Sequence, residues 1–508
     1  MTRAARLDAR ALRDLVLDPG SWLSWDSPVP PRAVDDGYAE ELRAARERTG
    51  QDEAVVTGEG RLRGRRVAVL AGEFGFLAGS IGTATAERLV VAIERATEEG
   101  LPLLASPVSG GTRMQEGTVA FLQMIGITAA IARHKEAGLP YLVYLRGPTF
   151  GGVLASWGSL GHVTIAEPGA AIGFLGPRVY EALYGEPFPA GVQTAEHLAE
   201  RGLIDGVVPH AEVAGVADRA LRVLAARATW HRDVAGAQTP VSDDGTDTDD
   251  PEDGRTAWDV VTASRRSDRP GVRRLLRTAA TDVVTLNGTG AGESDPGLLL
   301  ALARFGGAPC VLLGQDRRGQ SLSAPLGPAA LREARRGMRL AAELRLPLLT
   351  LIDTPGAALS VAAEEGGLAG EIARCLADMV MLRAPTLAVL LGQGTGGGAL
   401  ALVPADRVLA AANGWLGPLP PEGASAIVHR TVDRAGEMAA QQGVRATDLW
   451  RAGIVDRVVP ERPDAADEPA AFCERLGRVL GEELAGLLGR DDGERMRSRL
   501  HRYRHLGR

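Results

Sequence analysis

Apolar and polar positions along this chain fall into two alternating regimes. Short apolar runs at 101–106, 139–145, 348–352 and 387–391 read as buried strands. Longer segments at 83–99, 117–136, 329–344 and 369–381 carry apolar residues at helical spacing. Glycine-rich turns follow the strands: Ser109-Gly110-Gly111, Gly151-Gly152 (which opens a further apolar helical stretch), Asp353-Thr354-Pro355-Gly356, and residues 392–398. Strand, glycine turn and helix, repeated with short connections, predict α/β layering with parallel strand pairing. Outside this rhythm, two amphipathic segments, 7–17 and 38–48, flank a Pro-rich turn at 28–31. Residues 61–70 and the glycine-studded 72–82 read as strands, 258–277 and 474–488 as helices, and the tail after Arg490 is charged.

The rhythm occurs twice. Pro102-Leu103-Leu104 returns as Pro347-Leu348-Leu349, 245 residues later, and Gly110-Gly111 falls opposite Pro355-Gly356. Phe150-Gly151-Gly152 is matched by Gly396-Gly397-Gly398, and Gly173-Phe174-Leu175-Gly176-Pro177 by Gly414-Trp415-Leu416-Gly417-Pro418. The copies close alike, Gly202-Leu203-Ile204-Asp205 against Gly453-Ile454-Val455-Asp456. So long a period seen twice means duplicated domains rather than a solenoid. Between the copies, residues 237–255 hold six aspartates from Asp243 to Asp253 and no large apolar residue after Val241, the composition of a disordered acidic linker. The expected organisation is a first domain at 1–236, the linker at 237–255 and a second domain at 256–508.

At 508 residues and 45% hydrophobic content, the chain has ample material for two large cores. Its net charge of −7 argues against a nucleic-acid partner. Three cysteines, Cys310, Cys375 and Cys473, lack metal spacing and suit a reducing cytoplasm. No signal-peptide core or 18-residue apolar run is found, so a cytoplasmic protein without membrane contact is expected. Lys135 is the sole lysine, which removes Walker-type phosphate binding and Schiff-base chemistry.

Each half therefore offers two glycine sites at strand ends, where α/β sheets bind ligands. Glycine allows close backbone approach, and amides from two turns can hold an oxygen on which negative charge develops. Taken singly, each glycine more often marks a tight turn; four in a duplicated pattern carry more weight. No histidine pair has metal spacing, and Ser109 and Ser156 lack a nucleophile elbow. Asp353 reads as a turn cap, and Glu364 and Glu365 as a solvated face. No general base emerges, which favours chemistry whose base arrives with a cofactor.

These residues resemble a known family. The first half is similar to the carboxyltransferase beta subunit of bacterial acetyl-CoA carboxylase, through Ser109-Gly110-Gly111-Thr112-Arg113-Met114-Gln115-Glu116-Gly117, Gly151-Gly152-Val153 and Ala166-Glu167-Pro168-Gly169-Ala170. The second half is similar to its alpha subunit, through Ile352-Asp353-Thr354-Pro355-Gly356-Ala357, Gly397-Gly398-Ala399 and Pro421-Glu422-Gly423-Ala424-Ser425. The resemblance implies two tandem crotonase-like (ClpP/crotonase) domains and carboxyl transfer from carboxybiotin to acetyl-CoA or a related short acyl-CoA, giving malonyl-CoA. Two oxyanions then need holding, one on the thioester and one on biotin. By resemblance, Gly110, Gly111, Gly151 and Gly152, with Arg113, serve the acyl-CoA side. Gly356, Gly397 and Gly398 serve the biotin side.

The resemblance also implies a homodimer working with a separate biotin carboxyl carrier protein and a biotin carboxylase. The beta subunit's four-cysteine zinc ribbon is missing, so no bound metal is expected. The alpha pattern Gly-Ala-Tyr-Pro-Gly stands here as Gly356-Ala357-Ala358-Leu359-Ser360. That change leaves two rivals open: a malonyl-thioester decarboxylase of the malonate decarboxylase type, and a non-catalytic acyl-CoA-binding subunit.

Overall fold

The computed structural model describes residues 7–29, 34–226, 254–321 and 325–505. The acidic segment expected as a linker lies outside the described residues except for its last two positions. The chain separates into two compact units, Met1–Ala225 with Gly290–Gly292, and Ala226–Thr289 with Glu293–Arg508.

The strands of the first unit are β1 (Leu23–Ser24), β2 (Val55–Leu62), β3 (Arg65–Gly72), β4 (Leu103–Ser106), β5 (Tyr141–Leu145), β6 (Thr149–Phe150), β7 (Val163–Ala166), β8 (Ile172–Gly173) and β9 (Gly206–Val207). Seven of them form one sheet in the order β1-β2-β3-β4-β5-β7-β9, and β6 pairs with β8. The second unit holds β10 (Ala280–Leu286), β11 (Leu298–Phe305), β12 (Ala308–Gln315), β13 (Leu348–Thr354), β14 (Thr386–Thr395), β15 (Arg407–Ala411), β16 (Trp415–Gly417) and β17 (Arg457–Val459). Their order, β10-β11-β12-β13-β14-β15-β17 with β16 against β14, repeats the first.

The expected parallel pairing holds from β3 through β9 and from β12 through β17. Each sheet also has an antiparallel edge that periodicity did not reveal. The reason is local. Arg63-Gly64 and Gly306-Gly307 are two-residue hairpin loops with positive φ at both positions, a geometry that feeds the right-handed twist of the flanking strands.

Helices cover the sheets because their apolar residues recur every three or four positions. Thr83–Glu98 buries Ala86, Leu89, Ala92, Ile93 and Ala96, and these join residues of β3–β5 in the first core. Pro469–Leu488 buries Phe472, Leu476, Leu480 and Leu484 against the second sheet. Two expectations change, and the charged tail gains a structure. Residues 258–277 form two helices, Ala257–Ser264 and Val272–Ala279, with Pro270, which cannot continue a helix, in the break. Residues 73–82 are a loop with one tight turn, Leu77–Gly79, rather than a strand. The tail is helical over Asp492–His505, its Arg495 and Arg499 buried among carbonyls and Asp406.

Candidate active sites

In the first unit the chain leaves β4 and turns at Ser109–Gly111. The Ser109 hydroxyl accepts the Gly111 N–H at 3.0 Å and faces the Gly111 carbonyl at 3.3 Å. The Gly110 N–H donates to Ala78 O at 2.8 Å. Gly111 has φ +117°, a conformation L side chains rarely adopt, so the turn requires glycine there. The second turn packs against the first: a Cβ on Gly151 would lie 3.6 Å from the Gly111 Cα. The Gly151 N–H donates to Phe174 O at 3.0 Å, whereas the Gly152 N–H has no acceptor among the described residues.

Arg113 follows this turn but faces inward, its side chain 1% exposed. Its guanidinium donates to Glu53 Oε2 at 3.0 Å, to Ser80 O at 2.8 Å and to Thr85 Oγ1 at 3.3 Å. Burial alone would lower its pKa, but the Glu53 carboxylate and the Tyr38 hydroxyl together outweigh burial and raise it. Glu116 accepts the Thr83 N–H at 2.7 Å, placing a negative charge at the start of helix Thr83–Glu98. Burial would raise the Glu116 pKa, but hydrogen bonds from Thr83 and Tyr38 hold it low.

The second unit repeats the hydroxyl anchor of this turn, with Pro355 in the place of Gly110. The Thr354 hydroxyl accepts the Gly356 N–H at 3.2 Å, and Gly356 has φ +135°. Ser109 bridges Thr149 in parallel as Thr354 pairs Gly394. Gly151 at φ +65° corresponds to Gly396 at +61°. The structural equivalents of Gly151-Gly152 are therefore Gly396-Gly397, one residue earlier than the letters suggest. The register of β8 corrects a larger slip: Phe150 pairs Gly173 and Thr395 pairs Gly417, so Gly173 corresponds to Gly417 and not to Gly414. The near-identical strings there do not occupy equivalent positions. The closing repeat is real, because Asp205 and Asp456 each bracket the neighbouring strand: Asp205 N–H donates to Thr164 O and Asp456 N–H to Val408 O, both at 2.7 Å.

The two second-unit turns also touch, since a Cβ on Gly398 would lie 3.4 Å from the Ala357 nitrogen. Gly397 and Gly398 open the short helix Gly396–Leu400, ahead of the position where amides find carbonyls four residues back. Neither N–H has an acceptor among the described residues. The structure thus groups Gly110, Gly111, Gly151 and Gly152 in one unit and Gly356, Gly397 and Gly398 in the other. The changed segment is ordered: Ala358 N–H donates to Leu326 O at 2.9 Å, and Ser360 caps helix Val361–Glu365.

Sequence reasoning missed the polar support beneath the second pair of turns. Asp353 is buried, and burial raises its pKa against the pull of Arg317 and Arg269. Its Oδ1 accepts the Gln393 N–H at 3.2 Å, its N–H donates to Gln315 Oε1 at 3.1 Å, and Gln315 Nε2 donates to Gly398 O at 2.7 Å. Among the described residues, no three His, Cys, Asp or Glu side chains gather as metal ligands. No described helix is long and apolar enough to cross a membrane.

Residues 3–484 match the model of the carboxyl transferase domain family. The chain is 60% identical over 503 residues to the "probable biotin-dependent acyl-coenzyme A carboxylase beta3 subunit" of Mycobacterium tuberculosis, covering 99% of both chains. It is 38% identical to the acetyl-coenzyme A carboxylase carboxyl transferase subunits beta/alpha of Salinispora tropica, covering 99% of this chain and 91% of that one. Among solved structures, transcarboxylase 12S, a hexamer described with methylmalonyl-coenzyme A bound, superposes with a TM-score of 0.71 at 23% identity, over 92% of this chain and 89% of that one. A single-chain long-chain acyl-CoA carboxylase gives 0.68 at 20% identity, covering 93% of this chain and 45% of that one. At those identities the likeness concerns fold, and the fold is the expected pair of crotonase-like domains.

Proposed function

The chain belongs to the carboxyl transferase domain family, and from that premise we propose that it is the carboxyltransferase component of a biotin-dependent acyl-CoA carboxylase. The proposed acceptor is acetyl-CoA or a related short acyl-CoA. One observation carries the reading: the same hydroxyl-anchored glycine turn, Ser109–Gly111 and Thr354–Gly356, recurs beside a second turn with free amides in each unit. A reaction that develops negative charge on two different oxygens needs two such sites.

The donor set suits both ligands. In the first proposed domain, 1–236, the free amide of Gly152, beside Gly111, would polarise the thioester oxygen of acyl-CoA. In the second proposed domain, 256–508, the amides of Gly397 and Gly398, beside Gly356, would hold the ureido oxygen of biotin. A Cβ at Gly397 would meet Ile372 Cδ1 at 2.6 Å, so a larger residue would crowd the cradle. Carboxybiotin, carried on a separate protein, supplies the carboxyl group and the basic nitrogen that no side chain here provides. Gly110 and Gly151 shape the turns through their bonds to Ala78 and Phe174. Arg113, with its donors spent on Glu53, Ser80 and Thr85, takes a positioning role in place of ligand contact.

A second copy of the chain is the proposed partner, together with the carrier and a biotin carboxylase, acting in the cytoplasm. Helix Gly117–Glu136 supports this by leaving Val119, Phe121, Leu122 and Ile125 exposed on one face. Light scattering of the purified chain tests the assembly.

The reaction run backwards tests the function. Purified protein is given malonyl-CoA with and without free biotin. Biotin-dependent loss of the malonyl carboxyl, abolished in Gly152→Val and Gly397→Val, is the expected result. Biotin-independent release would indicate the decarboxylase. Acyl-CoA binding without turnover would indicate the binding subunit.

A further inference from the structure

The duplication stops short beneath the glycine turns. The partners of β4 and β13 set the correspondence: Ala68 pairs Leu103, and Val311 pairs Leu348. Gln315, at the end of β12, therefore stands where the first unit has Gly72. Asp353 stands where it has Val108. In the first unit these two segments meet backbone to backbone, since a Cβ on Gly72 would lie 2.9 Å from the Val108 nitrogen. In the second unit that space is spanned by side chains.

The span has a defined geometry. The Gln315 amide, 1% exposed, accepts the Asp353 N–H through Oε1 at 3.1 Å and donates from Nε2 to Gly398 O at 2.7 Å. One planar group thus touches the strand that leads into the Gly356 turn and the helix that presents Gly397 and Gly398. Asp353 supplies a parallel tie, with Oδ1 on the Gln393 N–H at 3.2 Å and its carbonyl accepting Gln320 Nε2 at 3.1 Å. Gln320 Oε1 in turn accepts the Thr354 hydroxyl at 2.6 Å, the same hydroxyl that anchors Gly356. Gly392 leaves room for this arrangement: a Cβ there would lie 2.5 Å from Asp353 Oδ1. The other carboxylate oxygen, Oδ2, is buried without a hydrogen-bond partner, and its nearest cation is Arg317 Nη1 at 3.6 Å. A buried carboxylate kept half-satisfied costs stability. The compensation is the placement of the two turns.

We infer that Gln315 and Asp353 are positioning residues that set the distance between the Gly356 turn and the Gly397–Gly398 amides; the inference rests on the reading of those turns as the biotin side. Neither residue touches a ligand. Both act through the backbone groups they hold, so their effect falls on one substrate and leaves the other alone. A displacement of about 1 Å in such a constellation costs roughly 10²-fold in rate.

The test uses the full chain and biotin-dependent decarboxylation of malonyl-CoA, with Gln315→Met, Asp353→Ala and Asp353→Asn. Gln315→Met and Asp353→Ala are expected to lose about 10²-fold in kcat/KM for biotin, with the KM for malonyl-CoA held within about twofold. Asp353→Asn keeps an oxygen for the Gln393 N–H and is expected to retain activity within about fivefold of the parent. Near-parental biotin kinetics in Gln315→Met would overturn the inference. So would equal losses on both substrates, or an Asp353→Asn variant as damaged as Asp353→Ala. Amide hydrogen exchange is read on the same variants. Joint acceleration in peptides covering 354–357 and 396–400 of Gln315→Met supports the brace; unchanged exchange overturns it. That second readout decides the brace even if the parent enzyme turns over no malonyl-CoA, an outcome that would instead remove the carboxyltransferase reading.

Discussion

The Arg113 guanidinium lies 3.0 Å from Glu53 Oε2, with side-chain exposures of 1% and 3%. Two charges so far from water are favourable only as a pair, since removing one leaves the other unpaired in low dielectric. Glu53→Ala should therefore lower unfolding free energy by about 3–5 kcal/mol, read from denaturant titration. Replacing both, as Glu53→Leu with Arg113→Met, should recover much of that loss, because no orphaned charge remains. A single Glu53→Ala variant as stable as the parent would remove the structural role assigned to the pair.

Ser109 and Thr354 allow the two turns to be weakened separately. Each hydroxyl orients the glycine amide two residues on, at 3.0 Å and 3.2 Å. Ser109→Ala and Thr354→Val leave that amide without its acceptor, at a cost of about 1–3 kcal/mol, which, where it falls on the transition state, corresponds to roughly a 5- to 150-fold fall in rate. Steady-state kinetics should show Ser109→Ala acting on kcat/KM for acyl-CoA and Thr354→Val on that for biotin. Losses on the opposite substrate would reverse the assignment of the two sides.

How far the sequence foretold this structure depended on the kind of signal. The helix expected at 117–136 is the helix Gly117–Glu136, because a glycine-bounded apolar stretch of that length is too long for a strand. The glycine turns were legible for a related reason: a φ of +117° or +135° selects glycine, and duplication shows that selection twice. The hairpin at Arg63-Gly64 was not, since Arg-Gly lacks the Asn-Gly or Asp-Gly signature of such loops. Resemblance of letters also misled. Gly173–Pro177 and Gly414–Pro418 look like copies, yet strand register places Gly173 opposite Gly417. Gln315 gave no signal, and Asp353 reads from sequence only as a turn cap, because the brace they form belongs to the part of the second unit that is not a copy. Arg113 was visible as a motif residue, but only packing shows that its charge points to Glu53.

Glu333 gives the chain a built-in pH dependence of stability. It is 3% exposed on helix Pro328–Leu344, and burial, only partly offset by Arg336 and backbone amides, pushes its pKa up to about 7 from 4.5. With the folded value above the unfolded one, the native state holds the proton more tightly between pH 4.5 and 7. Stability should therefore fall as pH rises through that window, by at most about 3 kcal/mol. Melting temperatures from pH 5 to 8 should show this contribution in the parent and lose it in Glu333→Gln. The variant should be the more stable protein at pH 8. Parallel melting curves for the two would show that Glu333 does not titrate there.

The C-terminal helix is held by a charge that the sheet cannot satisfy alone. Asp406, at the edge of β15, accepts the Thr386 N–H at 2.8 Å and still has lone pairs directed into the interior. Arg499 meets it through Nε at 2.8 Å and Nη2 at 2.7 Å, and Arg495 through Nη1 at 2.8 Å. The same two guanidiniums collect the Ala384 and Leu382 carbonyls at 3.0 Å and 2.8 Å, backbone acceptors at the end of helix Leu368–Met381 and the approach to β14. Loss of Arg499 would leave a buried carboxylate and several carbonyls underbonded at once. Arg499→Leu should therefore cost about 3–5 kcal/mol, whereas Arg497→Leu, on the same helix but outside this cluster, should stay within about 0.5 kcal/mol of the parent. Because β14 runs from this clamp to Thr395, just before the proposed biotin-side amides, Arg499→Leu should also speed hydrogen exchange across residues 386–400. Equal stability of the two variants would show that the helix is attached by its apolar contacts and not by Asp406.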